Sequence, residues 1–328
     1  MLLGWGVKLV NIEVQIASLN LKNPTILASG IMDEDAGSMK KIFKSGAGAV
    51  TTKSIGIKPN KGYPNPCLIE LKHGIINAMG LPNPGIKKYS YEIKKLKKQK
   101  KPVIASIYGK NTKEFLTLSK EMQKSGADAL ELNMSCPHAK GYGQEIGSDP
   151  KLVKEIVSNI KKTVNIPVFV KLSPNLTDIV KIAKAAEKAE ADAIVAINTV
   201  KAMKIDLEIK KPVLSNKIGG YSGPAVKPIG IRCVYEIFEN TNLPIIGCGG
   251  ITNGEDAIEY FMAGASAVQI GSAVYYRELD VFKKVTSEIK SWMKKHNYKN
   301  LDEIIGVAHR WIIQKGQRYY QLKLKIKQ

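Results

Sequence analysis

The sequence predicts an α/β protein built as one (β/α)8 TIM barrel, and three observations carry that expectation. Four stretches share a pattern in which a helix-like segment ends in small residues and runs into apolar sequence: SGAGAV from Ser45, SGADAL from Ser125, AEADAI from Ala189 and AGASAV from Ala263. Each has the form of a helix C-terminus feeding a buried strand. Between them lie three proline-led apolar runs, KPVIASI from Lys101, IPVFVKL from Ile166 and LPIIGCG from Leu243. Proline sits at the strand start, where its missing N–H costs least. With residues 25–30, these give eight short strands near residues 26, 49, 103, 129, 168, 193, 245 and 267, nearly all separated by helix-length segments. Continuous apolar strands alternating with helices mean parallel units buried on both faces, and eight in a repeating pattern suit closure rather than an open sheet.

Ahead of the first strand, Val14, Ile16, Leu19 and Leu21 alternate with polar residues, which predicts an N-terminal β-hairpin closing the barrel bottom. Residues 55–84 after strand two and 200–223 after strand six exceed ordinary loop length, and glycine-rich residues 138–147 follow strand four. Insertions after strands 2, 4 and 6 fall at C-terminal strand ends, where barrel enzymes build their sites. Residues 86–101 interleave lysines with Tyr91, Ile93 and Leu96 at helical spacing, as on the solvent face of an amphipathic helix. Residues 1–310 are expected to form the catalytic domain and 311–328 a C-terminal tail, whose QLKLKIK run alternates like an edge strand without an evident partner.

Composition narrows the classes. A chain of 328 residues with 44% apolar and 24% charged residues has a globular balance and enough apolar side chains for a large core. It contains no uncharged apolar run of membrane-spanning length, and its first ten residues do not resemble a signal peptide, so a cytoplasmic protein is expected. Cys67, Cys136, Cys233 and Cys248 form no CxxC pair, which argues against a disulfide framework or a metal or iron–sulfur site in this chain. The net charge of +21 invites an RNA or membrane-surface reading. Much of the excess lies on the lysine-rich helix, so a solvated face is expected, with no nucleic acid and no membrane as partner.

The strand ends carry the chemistry. Gly249 and Gly250 follow strand seven, while Gly271 and Ser272 follow strand eight; bare backbone N–H groups in these two loops suit a phosphorylated cofactor. Lys53 and Lys171 end strands two and five, where an ammonium can hold an electron-rich ring or an anion. Asn77, Asn133 and Asn198 bring three amides that both donate and accept, as a flat imide or carboxylate-bearing ring requires. Cys136, within NMSCP, is either a general base of lowered pKa or a small buried hydrophobe, and spacing leaves both open. The other cysteines read as structural. His138 could reach the site, whereas His73, His296 and His309 read as surface or loop residues.

NPTILASG from Asn23, TTKSI from Thr51, NAMGLPNPG from Asn77, ELNMSCP from Glu131, VKLSPNLTDI from Val170, INT from Ile197, GGYSGPAVKP from Gly219, PIIGCGGI from Pro244 and AVQIGSA from Ala267 together resemble class 1 dihydroorotate dehydrogenases, in order across about nine-tenths of the chain. The resemblance implies FMN at the barrel mouth, with its phosphate at Gly249, Gly250, Gly271 and Ser272. Ala28, Ser29, Gly30, Lys53, Ser54, Asn133, Lys171, Ile197 and Gly223 would surround the rest of the cofactor. Lys53, Asn77, Met79, Gly80, Leu81, Asn133, Asn198 and Thr199 would contact dihydroorotate, and Cys136 would be the catalytic base. KLSPNLTDI and IGSDP resemble the NAD-linked branch, which implies a homodimer of this chain within a heterotetramer whose electron-transfer subunit carries FAD and a 2Fe–2S cluster. His138 departs from the asparagine usual in the family. The alternatives are a fumarate-linked class 1A enzyme and a flavin reductase of the tRNA-dihydrouridine synthase type.

Overall fold

The computed structural model describes residues 10–134 and 144–310. Eight parallel strands close into a barrel in chain order: β1 (Thr25–Leu27), β2 (Ala49–Thr51), β3 (Val103–Ile107), β4 (Ala129–Asn133), β5 (Val168–Leu172), β6 (Ala193–Ala196), β7 (Ile245–Cys248) and β8 (Ala267–Ile270), with β8 paired to β1. Eight longer helices follow them, one after each strand: α1 (Ala36–Lys44), α2 (Ile86–Lys97), α3 (Thr112–Lys124), α4 (Pro150–Lys161), α5 (Ile179–Lys188), α6 (Lys227–Asn240), α7 (Gly254–Met262) and α8 (Val281–Lys295). None of the described helices is long and apolar enough to cross a membrane.

The repeated sequence pattern becomes repeated bonding. Pro102, Pro167 and Pro244 stand directly before β3, β5 and β7, and each offers its carbonyl to the neighbouring strand, to Val50, Leu130 and Ile194 N–H respectively. A residue that must only accept loses nothing by being proline. Asp128 and Asp192, in the two SGADAL-type repeats, cap the preceding strand starts: Asp128 accepts from Val103 N–H and Asp192 from Val168 N–H, each at 2.7 Å. Lys97 and Lys161, near the ends of α2 and α4, neutralise them at 2.6 Å. In α2, Tyr89, Ile93 and Leu96 face the core, while Tyr91 is 60% exposed and carries the Lys95 ammonium over its ring.

Alternation along the strands divides the barrel interior into layers. Ile26, Ala49, Ile104, Ala129, Phe169, Ala193, Val195, Ile246 and Ala267 form the lower, apolar layer. The hairpin Val14–Ile16 with Leu19–Leu21 plugs this end, burying Ile16, Leu19 and Leu21 against it. Two residues further along, the inward positions of six strands turn polar: Thr51, Ser106, Glu131, Lys171, Cys248 and Gln269. That change of chemistry marks where packing ends and the site begins.

The long segments after β2 and β6 are structured together. A hairpin, Leu68–Leu71 with Gly74–Asn77, joins Gly219–Ser222 and Val200–Ala202 in one four-stranded antiparallel sheet over the mouth, with Gly220 opposite Asn77. Close packing demands glycine: a Cβ at Gly74 would stand 2.4 Å from the Ser222 carbonyl oxygen. Residues 135–143 and 311–328, including Cys136, His138 and the tail, lie outside the described residues.

Candidate active site

Every strand of the barrel except β3 delivers lining residues to one cleft of about 450 Å³ beneath the accessory sheet, within the range of sites that enclose a small ligand. Its floor is a buried polar network. Lys171 Nζ donates to Gln269 Oε1 at 3.0 Å and lies 3.5 Å from Glu131 Oε1. Gln269 Nε2 donates to Glu131 Oε2 at 2.6 Å and to Thr51 Oγ1 at 3.1 Å. Burial alone would lower the pKa of Lys171, but the surrounding groups, the Glu131 carboxylate foremost with smaller pulls from Cys248 and Asp33, together outweigh it and hold the ammonium above its ordinary value. The cleft floor therefore carries a permanent cation with its counter-charge beneath it. Burial pushes the neighbouring Cys248 thiol up, so it faces the cleft as a neutral group.

From Glu131 the network climbs to the mouth. Ser106 Oγ donates to Glu131 at 3.4 Å and shares a 2.8 Å hydrogen bond with Ser54 Oγ, which accepts from Asn133 Nδ2 at 2.9 Å. Asn133 Oδ1 in turn accepts from Asn198 Nδ2 at 3.3 Å. Asn77 approaches from the accessory sheet, its Nδ2 3.5 Å from the Gly220 carbonyl. The loop that follows, Met79 to Leu81, is clamped by Asn60, whose Nδ2 donates to the carbonyls of Gly80 and Leu81. All three predicted amides thus line one cleft.

The opposite wall is bare backbone. A Cβ at Gly30 would meet nothing within 4 Å, and one at Gly271 only the Ala28 methyl at 3.5 Å, so at both positions the absence of a side chain leaves open space beside the backbone. Gly249 and Gly250 turn with positive φ, 125° and 72°; behind Gly250, a Cβ would strike Lys227 N at 2.6 Å and the Gly223 carbonyl oxygen at 2.9 Å. Ser272 completes this wall. Exposed peptide groups beside a buried cation suit an elongated, phosphate-bearing, electron-rich cofactor, and the residues present fit FMN.

Lys53 reaches the cleft from the end of β2, held 3.2 Å from Glu34 Oε1. Behind it Asp33 is fully buried: one carboxylate oxygen accepts from Gly30 N–H, while the other has no hydrogen-bond partner. Burial raises this carboxyl to about 6, against the opposing pull of Lys53. Tyr89, whose phenol burial pushes well above its ordinary range, donates to the Asp33 carbonyl.

Of the sequence-predicted site residues, Ala28, Ser29, Gly30, Lys53, Ser54, Asn77, Met79, Gly80, Leu81, Asn133, Lys171, Ile197, Asn198, Thr199, Gly249, Gly250, Gly271 and Ser272 line this cleft. Gly223 is one layer back, behind Gly250. Glu131, Gln269, Glu34 and Cys248 were not expected there. A signal for the first two was available: in ALELN and AVQIGS a polar residue interrupts an apolar strand two places after an inward alanine. Cys248, read as structural, instead lines the cleft wall. His309, read as a surface or loop residue, is 8% exposed, stacks on Tyr235 at 3.8 Å and sets its Nε2 3.1 Å from the Ala263 carbonyl oxygen.

The family described as dihydroorotate dehydrogenase matches residues 11–293. The dihydroorotate dehydrogenase B (NAD(+)) catalytic subunit of Methanocaldococcus jannaschii is 54% identical over 302 residues, covering 91% of this chain and 98% of the relative. The proteins of the same name from Thermoplasma volcanium and Pyrococcus furiosus are 52% and 49% identical, covering 91% and 92% of this chain and 98% and 100% of theirs. Likeness of this extent, reaching from the hairpin to α8 and agreeing with a cleft fitted to a flavin, leads to one assignment: the chain belongs to the dihydroorotate dehydrogenase family of FMN-dependent oxidoreductases.

Proposed function

We propose that this chain is the catalytic subunit of an NAD-linked dihydroorotate dehydrogenase, oxidising (S)-dihydroorotate to orotate in de novo pyrimidine (UMP) biosynthesis. The observation that supports this reading best is the meeting of a glycine-lined wall, two lysines and three amides in a single cleft. FMN, when bound, supplies the acceptor for the hydride that leaves C6 of the substrate. Gly249, Gly250, Gly271 and Ser272 hold its phosphate, with Gly223 supporting the turn. Ala28, Ser29, Gly30, Ser54, Lys171 and Ile197 hold the remainder.

Lys53 pairs with the substrate carboxylate, for which it exchanges Glu34. Asn77, Asn133 and Asn198 satisfy the imide edge, and Met79, Gly80, Leu81 and Thr199 shape the pocket around the ring. Cys136 takes the proton from C5, so that the pair of electrons left behind forms the C5–C6 double bond as hydride departs. The accessory sheet keeps bulk water from the reacting atoms.

Residues 1–310 constitute the catalytic unit, with residues 311–328 as a tail. Electrons pass to NAD through a partner subunit bearing FAD and a 2Fe–2S cluster, two copies of each chain forming a heterotetramer in the cytoplasm. The relatives' designation as NAD(+)-linked catalytic subunits supports this branch. Anaerobic stopped-flow tests it. Dihydroorotate should bleach the bound flavin rapidly, and NAD⁺ should restore its colour only with the partner subunit present. Direct reoxidation by fumarate would move the protein to the fumarate-linked branch, and no bleaching would reject the reading altogether.

A further inference from the structure

We propose that Glu131 is a positioning residue: it anchors and partly neutralises the Lys171 ammonium, and so sets how strongly the cleft favours reduced over oxidised flavin. This rests on the reading that FMN occupies the cleft.

Glu131 is wholly buried on β4, and both of its oxygens are used. Oε2 accepts from Gln269 at 2.6 Å, while Oε1 faces Ser106 at 3.4 Å and Lys171 at 3.5 Å. Gln269 closes a triangle, accepting from Lys171 at 3.0 Å while donating to Glu131. The ammonium is therefore gripped from two sides, and its direction into the cleft is determined by groups on β4 and β8. Stability does not require such an arrangement, because apolar side chains fill a barrel layer at least as favourably as a buried ion pair. The lower layer of this same barrel is filled in that way. Charge is placed only where the interior meets the cleft.

Its consequence there is electrostatic. Reduction adds electrons, and with them negative charge, to a flavin. A nearby cation favours the reduced form and a carboxylate opposes it, both acting through a weakly screening interior. Lys171 alone would hold reduced flavin tightly. Glu131 offsets part of that pull, keeping the bound cofactor a strong enough reductant for a low-potential acceptor such as a nicotinamide dinucleotide.

The test is the midpoint potential of FMN in the purified holoenzyme, measured by equilibration with a reference dye, for wild type, Glu131→Gln and Glu131→Asp. Glu131→Gln keeps the shape and an acceptor oxygen but removes the charge. It should raise the potential, with the preference for reduced flavin growing about tenfold, or roughly 30 mV for two electrons. Glu131→Asp keeps the charge and should shift it less in the same direction; it decides the sign alone if the glutamine variant does not fold. An unchanged or lowered potential would overturn the proposal, as would an equal shift in both variants, which would indicate shape rather than charge. Loss of FMN from both variants would overturn it too, since the carboxylate would then build the site instead of tuning it. Wild-type protein that takes up no FMN would instead remove the underlying functional reading, and this inference with it.

Discussion

Asp33 makes a prediction whose size follows from the structure. Its carboxyl is fully buried, leaves one oxygen without a hydrogen bond and titrates at about 6 instead of 3.8. Because the folded-state pKa is raised, the stability this group contributes is complete below the unfolded value and is lost as pH rises through the folded one. The lost amount is about 3 kcal/mol, and about 2 kcal/mol of it falls between pH 4.5 and 8. The groups facing Asp33 are Lys53 and Glu34 at the cleft, Tyr89 on α2 and, further off, Lys171 on β5. Asp33→Asn removes the ionisation while keeping an acceptor for Gly30 N–H. Any pH-independent cost of the new amide cancels when the difference between variant and wild type is compared across pH. Urea unfolding of both proteins from pH 4.5 to 8 should show the variant gaining on wild type by about 2 kcal/mol, with most of the gain below pH 7. Parallel stability curves would refute the reasoning, because they would mean that Asp33 ionises as easily folded as unfolded.

Other expectations can be checked on the same material. Gly250→Ala forces a side chain into a turn with φ of 72° and to within 2.6 Å of Lys227 N, so FMN affinity measured by fluorescence titration should fall by at least about tenfold, with about 1–3 kcal/mol of destabilisation. Cys136→Ala should slow flavin reduction by dihydroorotate about 10²- to 10⁴-fold while leaving the flavin bound, as read by single-turnover absorbance. Ile16→Ala, in the plug at the far end of the barrel, should cost about 2–5 kcal/mol in urea unfolding but leave turnover within about twofold of wild type.

Much of the fold was legible because the barrel repeats a short grammar. Small residues after each helix, proline before alternate strands and unbroken apolar runs all reflect local requirements, which one stretch of sequence can display. Each of the eight expected strand positions falls within or beside an observed strand. The accessory sheet was not legible as a sheet. Its strands are three or four residues long, two of them contain glycine, and Asn77 and Gly220 pair across more than a hundred residues, so no local pattern announces them.

The site divides the same way. Glycines and lysines at strand ends stand out because polar residues there interrupt a simple rule. Glu131 and Gln269 lie inside strands, where a single polar letter reads as noise until strand direction shows that it points inward. Asp33 stood in a run of polar loop residues, and only the packing of α2 over that loop reveals it as buried. His309 was misjudged for a similar reason: the ring of Tyr235 covers it from a helix some seventy residues earlier.

The roof over the mouth also has a consequence in time. Half of it comes from residues 68–77 and half from residues 200–222, so the early half cannot find its partner until most of the barrel has been synthesised. Contacts of such long sequence separation are slow to form and reward the chain only late. A chain emerging from the ribosome thus carries Lys53 and Lys171 well before it can enclose anything, and the glycines of the phosphate wall, Gly249, Gly250 and Gly271, follow only after the roof is complete in sequence. Uptake of yellow cofactor would then serve as a clock for the final stage of assembly, lagging behind the appearance of helical signal.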